Sequence, residues 1–313
     1  MGQEETPVGQ TPFAPTILTV NSGMRSLKIV VLTISLVVSI HCFGDPIIGP
    51  SASTLSRQSF KFSSNVMYMN FSERWLYSES TFTALEKDSA YMAILSLWEA
   101  YYGFENIFTF RASVPINYQN KNSETSVGVG DVILDLKYNI YNPSRRMGFA
   151  GVIYPEFSFI AGIRAPTGAD TNTAFPVSRW IGKGSIDAEL GGLMRLGDGI
   201  GAIYGALIYW WNGLTGNDRG DELFYNFTVE GPALFSKNYL LFLVELDGSK
   251  IGHDYLLQVC PGTKFIITYG RGLRVERKVE HCVEIYASCP IPIKAEGGYK
   301  YSFAPFVGIS WVF

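Results

Sequence analysis

The sequence predicts an all-β fold, a 12-stranded antiparallel transmembrane β-barrel, and three observations carry that prediction. From Arg57 onward, segments of alternating apolar and polar residues are separated by turn residues, and no helical period lasts three turns. Twelve such segments can be counted, an even number, and their connections alternate in length. Those after strands two, four, six, eight and ten are short, and those after three, five, seven and nine are longer. Membrane barrels are laid out this way, with both termini on the side of the short turns. The composition agrees. Aromatics make up 14 % of the 313 residues, there are 32 glycines, and only 17 % are charged, against about a quarter in a typical soluble domain.

Ahead of the barrel, residues 1–23 are polar and lack periodicity. From Met24 the text reads M-R-S-L-K, then a dozen apolar residues, then H-C-F-G-D-P. A basic start, a short apolar run and small residues Cys42 and Gly44 predict a secretory signal peptide over 24–44, with export to follow. The run is too short to span a bilayer comfortably. Met24 is therefore the expected start, with 1–23 an over-extended reading frame; a single N-terminal anchor is the other reading. Residues 45–56 form a Pro/Gly/Ser segment expected either to lie at the periplasmic end or to plug the lumen, and 57–313 form the barrel.

The strands follow in order. The first lies somewhere within 59–77, and the second covers about 91–102. The third sets Phe108, Phe110, Ala112, Val114, Ile116 and Tyr118 against Thr109, Arg111, Ser113 and Asn117. After a polar loop over 119–126, the fourth ends near Tyr141. The fifth covers 148–164, and a long loop over 165–184 leads to the sixth, 185–196. The seventh, 200–214, carries Tyr209, Trp210 and Trp211 as an expected interfacial belt. The eighth begins at Leu223, the ninth covers 239–246, and a loop over 247–254 precedes the tenth, 255–269. The eleventh covers 273–293.

The twelfth strand, Tyr299–Phe313, has an apolar or aromatic residue at every odd position and ends on Phe313 without a polar tail. It resembles the last strand of bacterial outer-membrane barrels, which ends on Phe and is read by the barrel-assembly machinery. The resemblance implies a barrel of the outer-membrane type in a Gram-negative envelope. It also implies pairing of this strand with the first, and Trp311 and Phe313 at the periplasmic interface against outer-membrane lipid.

With the apolar faces turned to lipid, the other faces collect the charges. The candidates for the lumen are Arg111, Asp131, Asp135, Lys137, Glu156, Arg164, Asp187, Glu189, Arg195, Glu230, Glu245, Lys264, Glu280 and Glu284, with Glu222, Glu276 and Lys278 on the same faces. An outward Lys or Arg at mid-bilayer would cost about 2–4 kcal/mol. Both signs occur, with acids in excess. Either the charges pair across neighbouring strands and pack the barrel shut, or they line a water-filled path with a mild preference for cations. A hairpin register centred on Arg271 sets Cys260 across from Cys282, both facing the lumen at a disulfide-like separation. A register shifted by two pairs Lys264 with Glu280 instead and leaves the cysteines diagonal.

The stretch V-G-V-G-D-V-I-L-D-L-K-Y, residues 127–138, carries Gly128, Gly130, Asp131, Lys137 and Tyr138, and V-C-P-G-T-K-F at 259–265 carries Pro261 and Gly262. With the terminal strand, these resemble motifs of an outer-membrane family of transporters named for the meta-cleavage pathway of phenol degradation. The resemblance implies a barrel that passes small, hydrophobic or aromatic solutes, with no catalytic residue. In physical terms, Gly128 and Gly130 permit a bulge, because Val127 and Val129 share parity with the inward Asp131. An inward Asp131–Asp135–Lys137 network is then expected to be structural.

Other functions are weighed against this channel. Outer-membrane phospholipases are also twelve-stranded, with a Ser/His pair on the lipid-facing surface. Here His41 lies in the signal peptide, His253 in a loop and His281 on the eleventh strand, with no serine and orienting group to complete a triad. No phosphate loop, nucleotide-binding glycine pattern or nucleophile elbow is found. The cysteines are too few and too irregular for a zinc site, so no cofactor is expected. A net charge of −3 without basic clusters argues against nucleic acid. A closed structural barrel is the third reading.

Overall fold

In the computed structural model, residues 49–313 are described, apart from 56, 77–78, 86–90, 122–123, 142–153, 169–184, 198–201, 216–219, 232–237, 270–280 and 298. Sixteen β-segments make one antiparallel sheet that closes on itself. They run β1 (Phe60–Leu76), β2 (Thr81–Ala84), β3 (Tyr91–Glu105), β4 (Phe108–Lys121), β5 (Glu124–Val129), β6 (Val132–Tyr141), β7 (Tyr154–Ala165) and β8 (Ile186–Gly197). Then come β9 (Ala202–Thr215), β10 (Glu222–Glu230), β11 (Asn238–Ile251), β12 (Asp254–Tyr269), β13 (His281–Ser288), β14 (Ile291–Glu296), β15 (Tyr299–Tyr301) and β16 (Phe306–Val312). β2 extends β3, and the pairs β5–β6, β13–β14 and β15–β16 are each one interrupted strand, which leaves a closed barrel of twelve strands.

Closure occurs where the terminal strand was expected to pair. β16 lies against β1 from Val312↔Lys61 to Phe306↔Met67. The amides of Phe60 and Phe313 each donate to the other's carbonyl at 2.9 Å. A closed sheet has no free edge, the only arrangement of strands that satisfies its backbone in hydrocarbon. Outside, Leu136, Phe159, Leu190, Leu207, Phe227, Val244, Ile285 and Val307 are all exposed, an apolar surface that a soluble sandwich would bury and a lipid-facing wall requires. Stacked rings lie at the end of the wall that holds Phe313: Phe60 on Phe313 at 5.6 Å and Phe108 on Tyr138 at 4.9 Å. The protein is a transmembrane barrel of the outer-membrane type.

Several strand details differ from the pattern reading. The polar stretches 119–126 and 247–254 are not loops. β4 and β5 run on to Lys121 and from Glu124, and β11 reaches Ile251 before a turn at Gly252–His253. Polar residues there fit the inward face of a strand, and Gln119 and Asp247 are buried inside. The expected bulge near Gly130 is present. β4 pairs with β5 and β6 in registers that differ by one residue, and the Gly130 amide donates to the Pro115 carbonyl at 2.7 Å. Val127 and Val129 therefore face out while Asp131, Asp135 and Lys137 are buried inside.

The last strand changes phase as well. Tyr301 and Phe306 both face inward, because one extra residue between them, opposite β1, breaks the odd-position stripe. Trp210 points inward, with the Arg164 guanidinium 4.3 Å from its ring, and only Tyr209 and Trp211 remain outside. The β12–β13 register sets Cys282 across from Thr268, eight positions from Cys260. That is about 26 Å along a strand, far beyond disulfide reach, and neither cysteine forms a disulfide.

Candidate functional site in the barrel lumen

The inward charges are placed by strand alternation, and their partners stand one strand away. Arg111 on β4 reaches Asp135 on β6 at 2.6 Å and Glu99 on β3 at 3.3 Å. Arg164 on β7 meets Asp187 on β8 at 3.0 Å, and Arg195 on β8 meets Glu156 on β7 at 3.1 Å. Two strands apart on the same wall, Lys264 on β12 meets Glu230 on β10 at 3.0 Å, with both groups buried. Glu189, Glu245 and Glu284 are also buried, the last accepting from Ser310 Oγ at 3.2 Å. Asp131 stands at the β5–β6 break, where it accepts from the Gly168 amide at 3.0 Å. Every lumen candidate is thus inside, except Glu280, which with Glu276 and Lys278 lies outside the described residues. So do residues 24–44, where a signal peptide was expected, residues 1–23, Cys42 and the side chain of His281. His253 is exposed in its turn.

The segment preceding β1 lies inside the barrel. Lys137 Nζ donates to the carbonyl oxygens of Ser51 and Ser53, at 2.6 and 2.8 Å. Asn139 Nδ2 and Ser158 Oγ donate to the Ala52 carbonyl. Ser53 Oγ donates to Glu156 at 2.8 Å, and the Leu55 amide to Thr109 Oγ1 at 2.8 Å. Ala52 is fully buried, and Gly49 reaches Asn226 on β10 so closely that an added Cβ would stand 2.5 Å from its side chain. Residues 49–55 therefore cross the lumen from the β4–β7 wall towards β10. Lys137 serves this segment, whereas the sequence placed it in a network with Asp131 and Asp135.

Beside the segment is a cavity of about 260 Å³. Part of its lining is charged: Lys61, Glu99, Arg111, Asp135, Lys137 and Glu284. The rest, further along the same strands β1 and β3 and on β13 and β16, is apolar: Met67, Leu95, Leu97, Tyr286 and Phe306. Glu99 is held by Ser63 Oγ at 2.8 Å and Ser113 Oγ at 3.3 Å. Met67 also packs against a cluster higher in the lumen, made of Met69, Phe71, Ala93, Leu95, Tyr301 and Ala304. An aliphatic cavity of about 150 Å³ accepts benzene, so the volume suits a single substituted ring or a compound of similar size.

The apolar wall, together with Lys61 and Glu99, escaped the sequence reading. That reading assigned apolar faces to lipid and polar faces to the lumen. On β1 the inward face runs Lys61, Ser63, Asn65, Met67, Met69, Phe71, changing from polar to apolar within one strand. Where both faces are apolar the period of two disappears, which is why this strand was the hardest to place. Its signal is the change of character along one parity, visible only once the parity is known.

No protein-family model matches the chain, and no curated protein matches it in sequence. Solved structures do. The COG4313 outer membrane channel from Pseudomonas putida F1 is 12 % identical, with a TM-score of 0.58 over 87 % of this chain and all of that one. The translocator domain of the autotransporter NalP from Neisseria meningitidis is 12 % identical, with a TM-score of 0.42 over 94 % of this chain and 96 % of its own. CymD, a monoaromatic hydrocarbon channel, is 7 % identical, with a TM-score of 0.39 over 82 % of this chain and 88 % of its own. At such identities the first of these speaks for the barrel fold.

Proposed function

We propose that the protein is an outer-membrane channel for small hydrophobic or aromatic solutes. One observation carries the reading: the lining of the cavity of about 260 Å³ changes along the strands from charged, at Arg111, Glu99 and Asp135, to apolar, at Met67, Leu95 and Phe306. A barrel meant only to be closed would gain most by filling such a space, since unfilled volume forfeits packing. A solute with an apolar body and one polar substituent matches this change of lining. The likeness to a named outer membrane channel and the phenol-pathway motifs at 127–138 and 259–265 point the same way. Export through residues 24–44 and recognition of Phe313 by the assembly machinery belong to the same reading.

The barrel carries its own obstruction. Residues 49–55 occupy the lumen, so passage requires that segment to shift, and this observation favours the closed structural barrel as the second reading. The test is ion current through single molecules in planar bilayers. A channel of this kind gives current steps that single-ring aromatic solutes interrupt more often than sugars of equal mass. Equal interruption by both classes would remove the aromatic preference.

A further inference from the structure

Most inward charges of the barrel meet a partner on a nearby strand, and Glu189 on β8 does not. The residue is 4 % exposed. Among the described residues it has no ion pair, and its buried Oε1 has no hydrogen-bond donor. Strand register explains how this comes about. At one level of the lumen, β4, β6, β7, β8 and β9 set Arg111, Asp135, Gly162, Glu189 and Trp210 side by side. Gly162 is the gap in that row. A Cβ added there would stand 2.6 Å from Asp135 Cβ and 2.7 Å from Glu189 Oε1, so Glu189 leans over the bare glycine towards Asp135.

The cations nearby are engaged elsewhere. Arg111, beyond Asp135, bonds it at 2.6 Å and Glu99 at 3.3 Å. Arg164 is held by Asp187 at 3.0 Å and lies over the Trp210 ring. Lys137 donates to the Ser51 and Ser53 carbonyl oxygens. The cavity lining itself is balanced, with three cations (Lys61, Arg111, Lys137) against three anions (Glu99, Asp135, Glu284). Glu189 stands across from Gly162, one inward position beyond the lining residue Ile160. It therefore leaves one negative charge over at the edge of the cavity. A buried charge without a counter-charge is costly, and a barrel that needed only closure would gain from an apolar residue here.

We infer that Glu189, together with Asp135, is a subsite for a singly charged organic cation: the ammonium group of a solute whose apolar body lies in the cavity. The inference rests on the channel reading above and names the polar substituent of its solute. An ammonium group brings three N–H donors, enough to satisfy Glu189 Oε1 and to contact Asp135 as well. A metal ion fits less well, because among the described residues no three Asp, Glu, His or Cys side chains converge to hold one. An anionic solute would add a second uncompensated negative charge.

The test compares three single-ring probes of similar size, benzylammonium, benzyl alcohol and benzoate, on the purified protein in detergent. Binding is read by isothermal titration calorimetry, and folding by the heat-modifiable mobility of the barrel on gels. The subsite predicts that benzylammonium binds about tenfold or more tightly than benzyl alcohol, and that benzoate binds weakest. Glu189→Gln keeps the shape and removes the charge, and should bring benzylammonium down to the level of benzyl alcohol. Glu245→Gln removes a buried inward charge from β11, which contributes nothing to the cavity lining, and should leave the preference intact. Without a probe, Glu189→Gln should unfold at no lower urea concentration than the unmodified protein, since no bond is lost. Equal binding of benzylammonium and benzyl alcohol by the unmodified protein would overturn the subsite alone. An equal loss of preference in both Gln variants would overturn it in favour of a general field in the lumen. Binding of none of the three probes would overturn the subsite together with the reading of the cavity as a solute site.

Discussion

Lys137, on β6, holds the Ser51 carbonyl oxygen at 2.6 Å although 86 residues separate them in sequence. That bond ties the segment before the first strand to the wall of the fourth. It is charge-assisted and buried, the class worth about 1.5–3 kcal/mol. Lys137→Met is therefore expected to weaken the hold on residues 49–55 by about 2 kcal/mol, a shift of about thirtyfold in the occupied-to-released ratio. The barrel, which does not depend on this bond for closure, should remain folded. Single-channel recordings check this through longer or more frequent open periods than in the unmodified protein.

The Lys264–Glu230 pair tests how the charged interior is held. Both groups are buried, so removing one partner strands the other. Lys264→Met alone is expected to cost about 3–5 kcal/mol, and the double change with Glu230→Leu much less, since two apolar groups leave no charge behind. Urea titration of the folded barrel in detergent, followed by gel mobility, reads both values.

On the outer wall the sign of the rule reverses. Leu207 is 56 % exposed on β9 with its side chain towards lipid. Leu207→Arg is expected to destabilise the barrel by about 2–4 kcal/mol near mid-bilayer. Leu207→Phe should be nearly neutral. The same titration, carried out in lipid vesicles, separates the two.

Gly308 sets the width of the cavity. An added Cβ would stand 2.2 Å from the Tyr286 ring and 2.4 Å from Asn65 Oδ1. The glycine lets Tyr286 lie flat across β16, where its hydroxyl donates to Asn65. Gly308→Ala is expected to cost about 1–3 kcal/mol of overpacking and to push the ring into the cavity. Smaller current steps at unchanged expression would show it.

The legibility of this chain follows from where alternation is strict. In β4, Thr109, Arg111 and Ser113 face in while Phe108 and Phe110 face lipid, so the strand and its lumen residues could be read directly. The bulge at Gly130 was readable because Val129 and Asp131 conflict in parity. The apolar lumen wall was not, because Met67, Met69 and Phe71 oppose Val66 and Tyr68, and no contrast marks the inner face. Register was unreadable for a different reason. The Cys260–Cys282 pairing assumed a tight turn near Arg271, whereas the strands pair about a point four residues further on. The inward course of residues 49–55 depends on contacts with Lys137, Asn139 and Glu156, which only the closed barrel brings together.

The most direct test of the central claim is the conductance of the purified protein in planar bilayers, beside a variant lacking residues 45–55. A solute path through the lumen predicts discrete ohmic steps in the intact protein and larger, more persistent ones in the variant. Silence from both, in barrels shown to be folded and inserted, would contradict it.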